Sequence, residues 1–231
     1  MQNKSVELFQ KNWAIYQKII QHNYMFHQEL GAYTKHVWQQ QFKETPIHLL
    51  DLGCGDAFQI SSIMKSCPSA SYTGFDLSET VLNFASQNLE STQTPFVLKA
   101  GAMETLIEES KHTYNLIYSS FAIHHLQDEQ KITLLQTCHE KLNKDGMMIL
   151  IDVFRLEDET RSSYLQAYNH MFRQWENLDE EEKDLIAAHL NAYDFPTTIA
   201  TIEIASHDIG FDVEIMPSFD RYHHMLVLRK N

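Results

Sequence analysis

From residue 47 to residue 154 the chain alternates, at short and regular intervals, between apolar runs of strand length and stretches with helical spacing. "IHLLDL", "SYTGFD", "PFVLKA", "TYNLIYSS" and "MMILIDVF" read as strands. Between the first two, Ile60, Ile63, Met64 and Cys67 fall on one helix face that stops near Pro68. "SETVLNFASQNLES" reads as a helix started by Ser78. Leu135, Cys138 and Leu142 stripe a further helix before the turn at "KDG". Such alternation calls for right-handed crossovers and a mostly parallel sheet covered on both faces. The C-terminal ends of the strands then share one rim, and a ligand seat forms there where the strand order reverses.

The flanks differ in texture. Residues 5–42 read as helical: Phe9, Trp13, Tyr16, Ile20, Tyr24 and His27 recur at steps of three and four, and a second group carries Leu30, Tyr33, Val37 and Trp38. Gly31 marks the expected break, and Pro46 closes the segment. Residues 157–194 interrupt the alternation with two more helical patterns, one through Tyr164, Tyr168, Met171 and Trp175, the other through Ile186, Leu190 and Tyr193. "TTIATIEIASHDIGF" reads as a helix ended by Gly210, and two strands follow around Pro217. The expected organisation is a helical cap over 1–46 and one α/β domain over 47–231, with 157–194 a helical lid inserted in it.

The totals narrow the partners. The 231 residues suffice for one substantial core. A net charge of -13 argues against nucleic acid or an anionic membrane. Cys54, Cys67 and Cys138 form no CxxC pair, which fits a reducing, cytoplasmic setting. "MQNKSVELFQKNW" has no long apolar stretch of the kind a secretory leader carries, and no membrane anchor is expected.

The most informative stretch is "HLLDLGCGDAF", residues 48–58. Glycines let a ligand approach the backbone, and the next helix offers free N–H groups. A dinucleotide fingerprint needs a third glycine where Phe58 stands, and a phosphate loop needs a "GK[ST]" that is missing. Asp51 would repel a phosphate but could face a cationic ligand end. Asp76 closes the second strand, 21 residues after Gly55, where an acid accepts hydrogen bonds from ribose hydroxyls. The combination fits a phosphate-free adenosine ligand with an amino-acid tail.

Together "DLGCGDAF", "GFDLSE", "YNLIYSSFAIHHLQD" and "LNKDGMMILIDVF" resemble the seven-strand, class I S-adenosylmethionine-dependent methyltransferases. The resemblance implies a Rossmann-like sheet of order 3-2-1-4-5-7-6 with strand 7 antiparallel. It implies S-adenosyl-L-methionine as cofactor. Carried over by position, Gly53, Cys54 and Gly55 face its methionine part, Asp51 supports that loop and the amino group, Asp76 holds the ribose and Leu77 packs on adenine. Ala102 and Met103 fall at the adenine edge, where many members carry an acid in place of Ala102, and Ser119 and Ser120 approach the methionine moiety.

The sulfonium methyl of such a cofactor is already activated, so alignment and exclusion of water supply most of the rate. His125, Asp152 and Tyr24 are the candidate catalytic residues: His125 and Asp152 at the rim of strands four and five, Tyr24 on the N-terminal aromatic stripe, with Tyr16 and His27 as further contacts. Tyr168, Arg173 and Tyr193 are candidate substrate contacts from the insert. No metal is required. The neighbours His124 and His125 do not share a helix face, and "HExxH" is absent, so no metal site is expected. The resulting reading is methyl transfer to a small-molecule nucleophile by a monomer or homodimer. Its alternatives are non-methyl use of a modified cofactor, which a basic side chain over the reactive carbon would favour, and a non-catalytic cofactor-binding module. A dinucleotide oxidoreductase ranks below both.

Overall fold

Seven strands form one sheet in the order β3-β2-β1-β4-β5-β7-β6 in a computed structural model that describes residues 13–230. The strands are β1 (Ile47–Leu52), β2 (Ser69–Asp76), β3 (Phe96–Ala100), β4 (Tyr114–Ser120), β5 (Leu142–Val153), β6 (Phe211–Ile215) and β7 (His223–Lys230). The first five pair in parallel, and β7 runs antiparallel to both β5 and β6. This is the order and handedness that the sequence resemblance implies.

The helices follow from the same alternation. They are α1 over residues 13–21, α2 (His27–Phe42), α3 (Phe58–Met64), α4 (Glu79–Glu90), α5 (Met103–Glu109), α6 (Asp128–Lys141), α7 (Arg161–Phe172), α8 (Glu180–Tyr193) and α9 (Ile199–Ile209). Ser78 caps α4 by accepting from the Val81 N–H, and Gly210 stops α9 in the left-handed region at φ 110°. The expected break at Gly31 is not there: Gly31 lies inside α2, and the chain turns earlier, at 22–26, where Asn23 and Phe26 take positive φ. Asn23 makes this turn by accepting the Gln28 N–H and donating to Glu29. The short α5 carries its apolar residues at Met103, Leu106 and Ile107, a helical spacing that spans little more than one turn. Phe9 lies outside the described residues.

The "MMILI" run explains the two-sided core. Met147, Ile149 and Ile151 face the layer holding α2, α3 and α4, while Met148 and Leu150 face the layer holding α5, α6 and α9. Each of the five is fully buried, the signature of a central strand covered on both faces. A third cluster stands apart, built from Ile15 and Ile19 of α1, Tyr164, Tyr168 and Phe172 of α7, and Leu190 of α8. It lies beyond the C-terminal ends of β4 and β5.

One buried cation pins these layers. Lys131 of α6 is 1% exposed, and its Nζ donates to the carbonyls of Leu126 at 2.6 Å and Phe195 at 2.5 Å and to Asp128 at 3.1 Å. Its hydrogen bonds tie the start of α6 to the segment leaving α8. Lys131→Met keeps the length of the stem and removes the donors, taking a partner from the buried Leu126 carbonyl and the part-buried Phe195 carbonyl. We expect a loss of about 2–4 kcal/mol in unfolding free energy, read from urea denaturation; an unchanged midpoint would show that the latch contributes nothing.

Candidate functional site

At the C-terminal rim the chain leaves β1 and β4 in opposite directions, and a cavity of about 490 Å³ opens between them. Asp51, Gly53, Cys54, Gly55 and Ser120 line it, together with Tyr16 from α1. Gly53 and Gly55 take φ of +69° and +52°, so the loop turns through conformations that suit glycine. They differ in surroundings. A Cβ on Gly55 would meet nothing within 4 Å, so its backbone opens on free space. A Cβ on Gly53 would lie 2.3 Å from the Cβ of Ala122, in the loop after β4.

Two carboxylates organise the rim. Asp76 accepts the Gly55 N–H on Oδ2 and the Ser78 N–H on Oδ1, both at 2.9 Å, which ties the glycine loop to the end of β2. Lone pairs on both oxygens remain for hydroxyl donors. Asp51 is 2% exposed and accepts from Tyr72 Oη at 2.8 Å. Burial pushes its carboxyl up to about 7, against the pull of the Tyr72 bond, and the charge of Asp76 adds to the rise. Leu77, directly after Asp76, is 79% exposed, an apolar face with no protein cover. Ala102 is the N-cap of α5 and Met103 its first residue, one step beyond Gly101, whose N–H donates to the Asp76 carbonyl. Ser119 differs from Ser120: it is fully buried, and its hydroxyl donates to the Leu52 carbonyl at 3.1 Å, bracing β4 against β1.

A second cavity, about 390 Å³, adjoins the first across Tyr16, which lines both. Its walls are largely apolar: Ile15, Met25, Phe121, Tyr168, Trp175 and Leu190. Its polar lining consists chiefly of His124, His125, His189 and Asp194. The histidines arrive through a 3-10 turn over Ile123–His125. Phe121, at φ 53°, turns the chain out of β4, and Asp152 at the end of β5 catches the next residues by accepting from the His124 N–H at 3.0 Å and meeting His124 Nδ1 at 2.5 Å. Asp194 ends α8, and the following N–H, of Phe195, donates to the His124 carbonyl at 2.7 Å.

This placement revises one sequence argument. Adjacent histidines were expected to diverge, yet the His124 and His125 rings lie 4.1 Å apart and tilted by 56°. His124 is buried, while the His125 side chain is 40% exposed, with Nδ1 at 3.1 Å from the Tyr193 carbonyl. Burial pulls His124 down, but the Asp152 and Asp194 carboxylates outweigh it and push the ring up to about 9. Burial and the neighbouring His124 lower His125 to about 3. Burial raises Asp194 to about 6 against the pull of His124.

The remaining candidates scatter. Tyr24 stacks on Trp175 at 4.7 Å, and its hydroxyl accepts from the Asn177 N–H and Nδ2. His27 is buried and packs on Phe121. Tyr168 reaches the second cavity with its hydroxyl on His223 Nε2 at 2.8 Å. Arg173 instead pairs on the surface with Asp184 and Glu180, and Tyr193 points outward, 60% exposed. Sequence reasoning missed His189 and Asp194, whose approach to the histidine pair depends on how α8 folds back.

Residues 49–146 match the family model described as a methyltransferase domain. Over those residues the chain is similar to methyltransferase domains, and its sheet has the class I methyltransferase order. Among curated proteins it is similar to a carboxy-S-adenosyl-L-methionine synthase of Mannheimia succiniciproducens, 23% identical over 74% of this chain and 72% of that protein. It is also similar to a phosphoethanolamine N-methyltransferase of Plasmodium falciparum, 25% identical over 75% of this chain and 64% of that one. Across carboxy-S-adenosyl-L-methionine synthases the matched stretch ranges down to 56% of the relative's length. In fold the chain resembles the plantazolicin methyltransferase BpumL in complex with SAH, with a TM-score of 0.65, 17% identity and coverage of 100% and 99% of the two chains.

The tight approach at Gly53 yields a direct test. Gly53→Ala adds a methyl where the backbone is left-handed and Ala122 already fills the space. The expected cost is about 2–4 kcal/mol in stability. A thermal melt matching the unsubstituted protein would show that the loop after β4 yields freely.

Proposed function

We propose that the protein transfers the methyl group of S-adenosylmethionine to a small molecule with an apolar body and a polar reactive end. The observation that carries this reading is the pair of cavities meeting at Tyr16, one lined by the glycine loop and Asp51, the other by aromatic and aliphatic side chains with a histidine–aspartate cluster. The first fits the cofactor on three counts: backbone at Gly55 opens on free space, a buried carboxylate at Asp51 suits a cationic tail, and an uncovered Leu77 beside Asp76 suits an adenine ring. Asp51, Gly53, Cys54, Gly55 and Ser120 would hold the methionine part, Asp76 the ribose, and Leu77, Ala102 and Met103 the base, with Ser119 bracing the strand beneath. When bound, the cofactor supplies an electrophilic methyl carbon, and the chain's task is to align the acceptor behind it without water.

On the acceptor side, His125 with Asp152, acting through His124, would take the polar end, while Tyr24 fixes Trp175 in the wall. Residues 1–46 would serve as a cap and 157–194 as a lid. Three buried, unpaired cysteines and the net charge of -13 support a cytoplasmic enzyme acting on metabolites rather than nucleic acid, as a monomer or homodimer. No described helix is long and apolar enough to cross a membrane. The competing use, handling of a carboxylated cofactor, calls for a cation facing the carboxylate. Among the described residues that line the second cavity there is no lysine or arginine, the charged His124 ring there is already held between Asp152 and Asp194, and Lys35 of the first cavity is a solvent-exposed side chain.

The reaction is tested by incubating the protein with methyl-labelled S-adenosylmethionine and fractionated cell metabolites. Label should appear in an organic-extractable small molecule; label only in RNA or protein, or a carboxylated cofactor detected by mass spectrometry, would overturn the proposal. For the cofactor seat, Asp76→Ala should lower S-adenosylmethionine affinity by at least about tenfold in calorimetry, the loss of one or two charged hydrogen bonds. The folded variant binding as tightly as the original would remove Asp76 from the site. Asp51 sets a pH dependence. Its carboxyl, raised to about 7, is protonated below that pH in the free protein, whereas a cationic ligand favours the carboxylate. Binding should therefore release a proton and strengthen from about pH 5.5 to about pH 8. A flat profile, with heats independent of buffer ionisation, would place the cationic group elsewhere.

A further inference from the structure

Asp194 is 2% exposed, and its Oδ1 has no hydrogen-bond partner among the described residues. A buried carboxylate oxygen left without a donor is costly, and it calls for an explanation. Three imidazole nitrogens surround it: His125 Nδ1 at 3.5 Å, His124 Nε2 at 3.8 Å and His189 Nε2 at 4.0 Å. Each gap is too long or too marginal for a hydrogen bond. All three are close to the separations of donors that share one ion, since bonds of about 2.0–2.2 Å place neighbouring ligand atoms about 3–4 Å apart. The donor atoms of His124, His125 and Asp194 all lie within 4.8 Å of one another.

His124 is also held in the manner of a metal ligand. Its Nδ1 engages Asp152 at 2.5 Å, which fixes the ring and directs Nε2 toward Asp194. Asp152 in turn accepts the N–H groups of His124 and Val153, so this support is itself braced. His125 Nδ1 has a second neighbour, the Tyr193 carbonyl at 3.1 Å, to which it donates when protonated there. Ligation uses the lone pair of the same atom in the other tautomer, so the two roles exclude each other.

We propose that His124, His125, His189 and Asp194 bind a divalent transition-metal ion in the wall of the second cavity. Nitrogen donors joined by one carboxylate suit zinc, iron(II), cobalt(II) or nickel(II), and they suit magnesium or calcium poorly. The exposed sides of His125 and His189, 40% and 50% of whose side chains are open, leave a coordination position facing the cavity. An oxygen or nitrogen of the acceptor can take it, and the ion then fixes the acceptor's polar end. The ion site stands on the side-chain geometry alone; its role toward an acceptor rests on the methyl-transfer reading above.

The test uses the untagged full chain, freed of metal by a chelator and titrated with cobalt(II). Visible absorption should saturate at one equivalent, be displaced by zinc and persist in excess magnesium. His125→Gln and His189→Gln, at exposed positions that leave the fold intact, should each weaken cobalt binding at least tenfold. Asp152→Asn should weaken it 10- to 100-fold through the His124 ring (about that range for a supporting partner). No saturable absorption, or binding that survives both glutamine substitutions together, would overturn the site and assign any uptake to the other histidines. S-adenosylmethionine affinity measured on the same samples separates the two proposals, since cofactor binding without metal sinks only the ion, and metal without cofactor sinks only the methyl-transfer reading.

Discussion

The parallel pairing of β1 with β4, Leu49 beside Leu116 through Leu52 beside Ser119, governs everything at the rim. It is the point where the strand order reverses, so the chain after β1 turns to one face and the chain after β4 to the other. The cavity exists because no helix can cover that divide. Ser119 strengthens the seam by bonding the Leu52 carbonyl, and Gly53 lets the loop after β4 come within contact of the loop after β1. Shift this register by one residue and Asp51, Ser120 and the histidine turn would no longer converge.

Around that seam the chain gathers two acids, one buried and one tying the glycine loop to β2. Asp51 sits in the core beside Tyr72, so its charge is disfavoured without an opposite partner. Asp76 spends part of its capacity holding Gly55 and Ser78 in place, which makes it a pin for the loop. The second cavity repeats the theme with Asp152 and Asp194 on either side of His124. In both places a carboxylate orients its neighbours through hydrogen bonds.

How much of this could be read in the chain divides along sequence separation. The strands of the sheet announce themselves because each is a short apolar run bounded by turns, and "MMILI" declares a central strand by being apolar at every position. The residues around the first cavity fall within a loop's length of strand ends, so motif and spacing locate Asp51, Gly55 and Asp76 together. The turn at 22–26 escaped notice because Asn23 and Phe26 supply positive φ without a glycine, while Gly31, the visible breaker, is absorbed into α2 against Gln59. Asp194 and His189 were invisible for a different reason. Nothing local distinguishes them; they meet His124 because Lys131 and Phe195 fasten the end of α8 to the start of α6, a contact between residues 64 positions apart.

The third hydrophobic cluster is separate from the two that clothe the sheet. Its aromatic residues pack mostly on one another, Tyr164 on Tyr168 and Tyr222, Phe172 on Trp175. Substitutions of the apolar residues of α7 and α8 therefore act first on this third core, which meets the sheet at Val153 and through the Tyr168–His223 bond. The wall of the second cavity and the floor of the first therefore belong to different hydrophobic cores, so a change of volume in one need not be answered in the other.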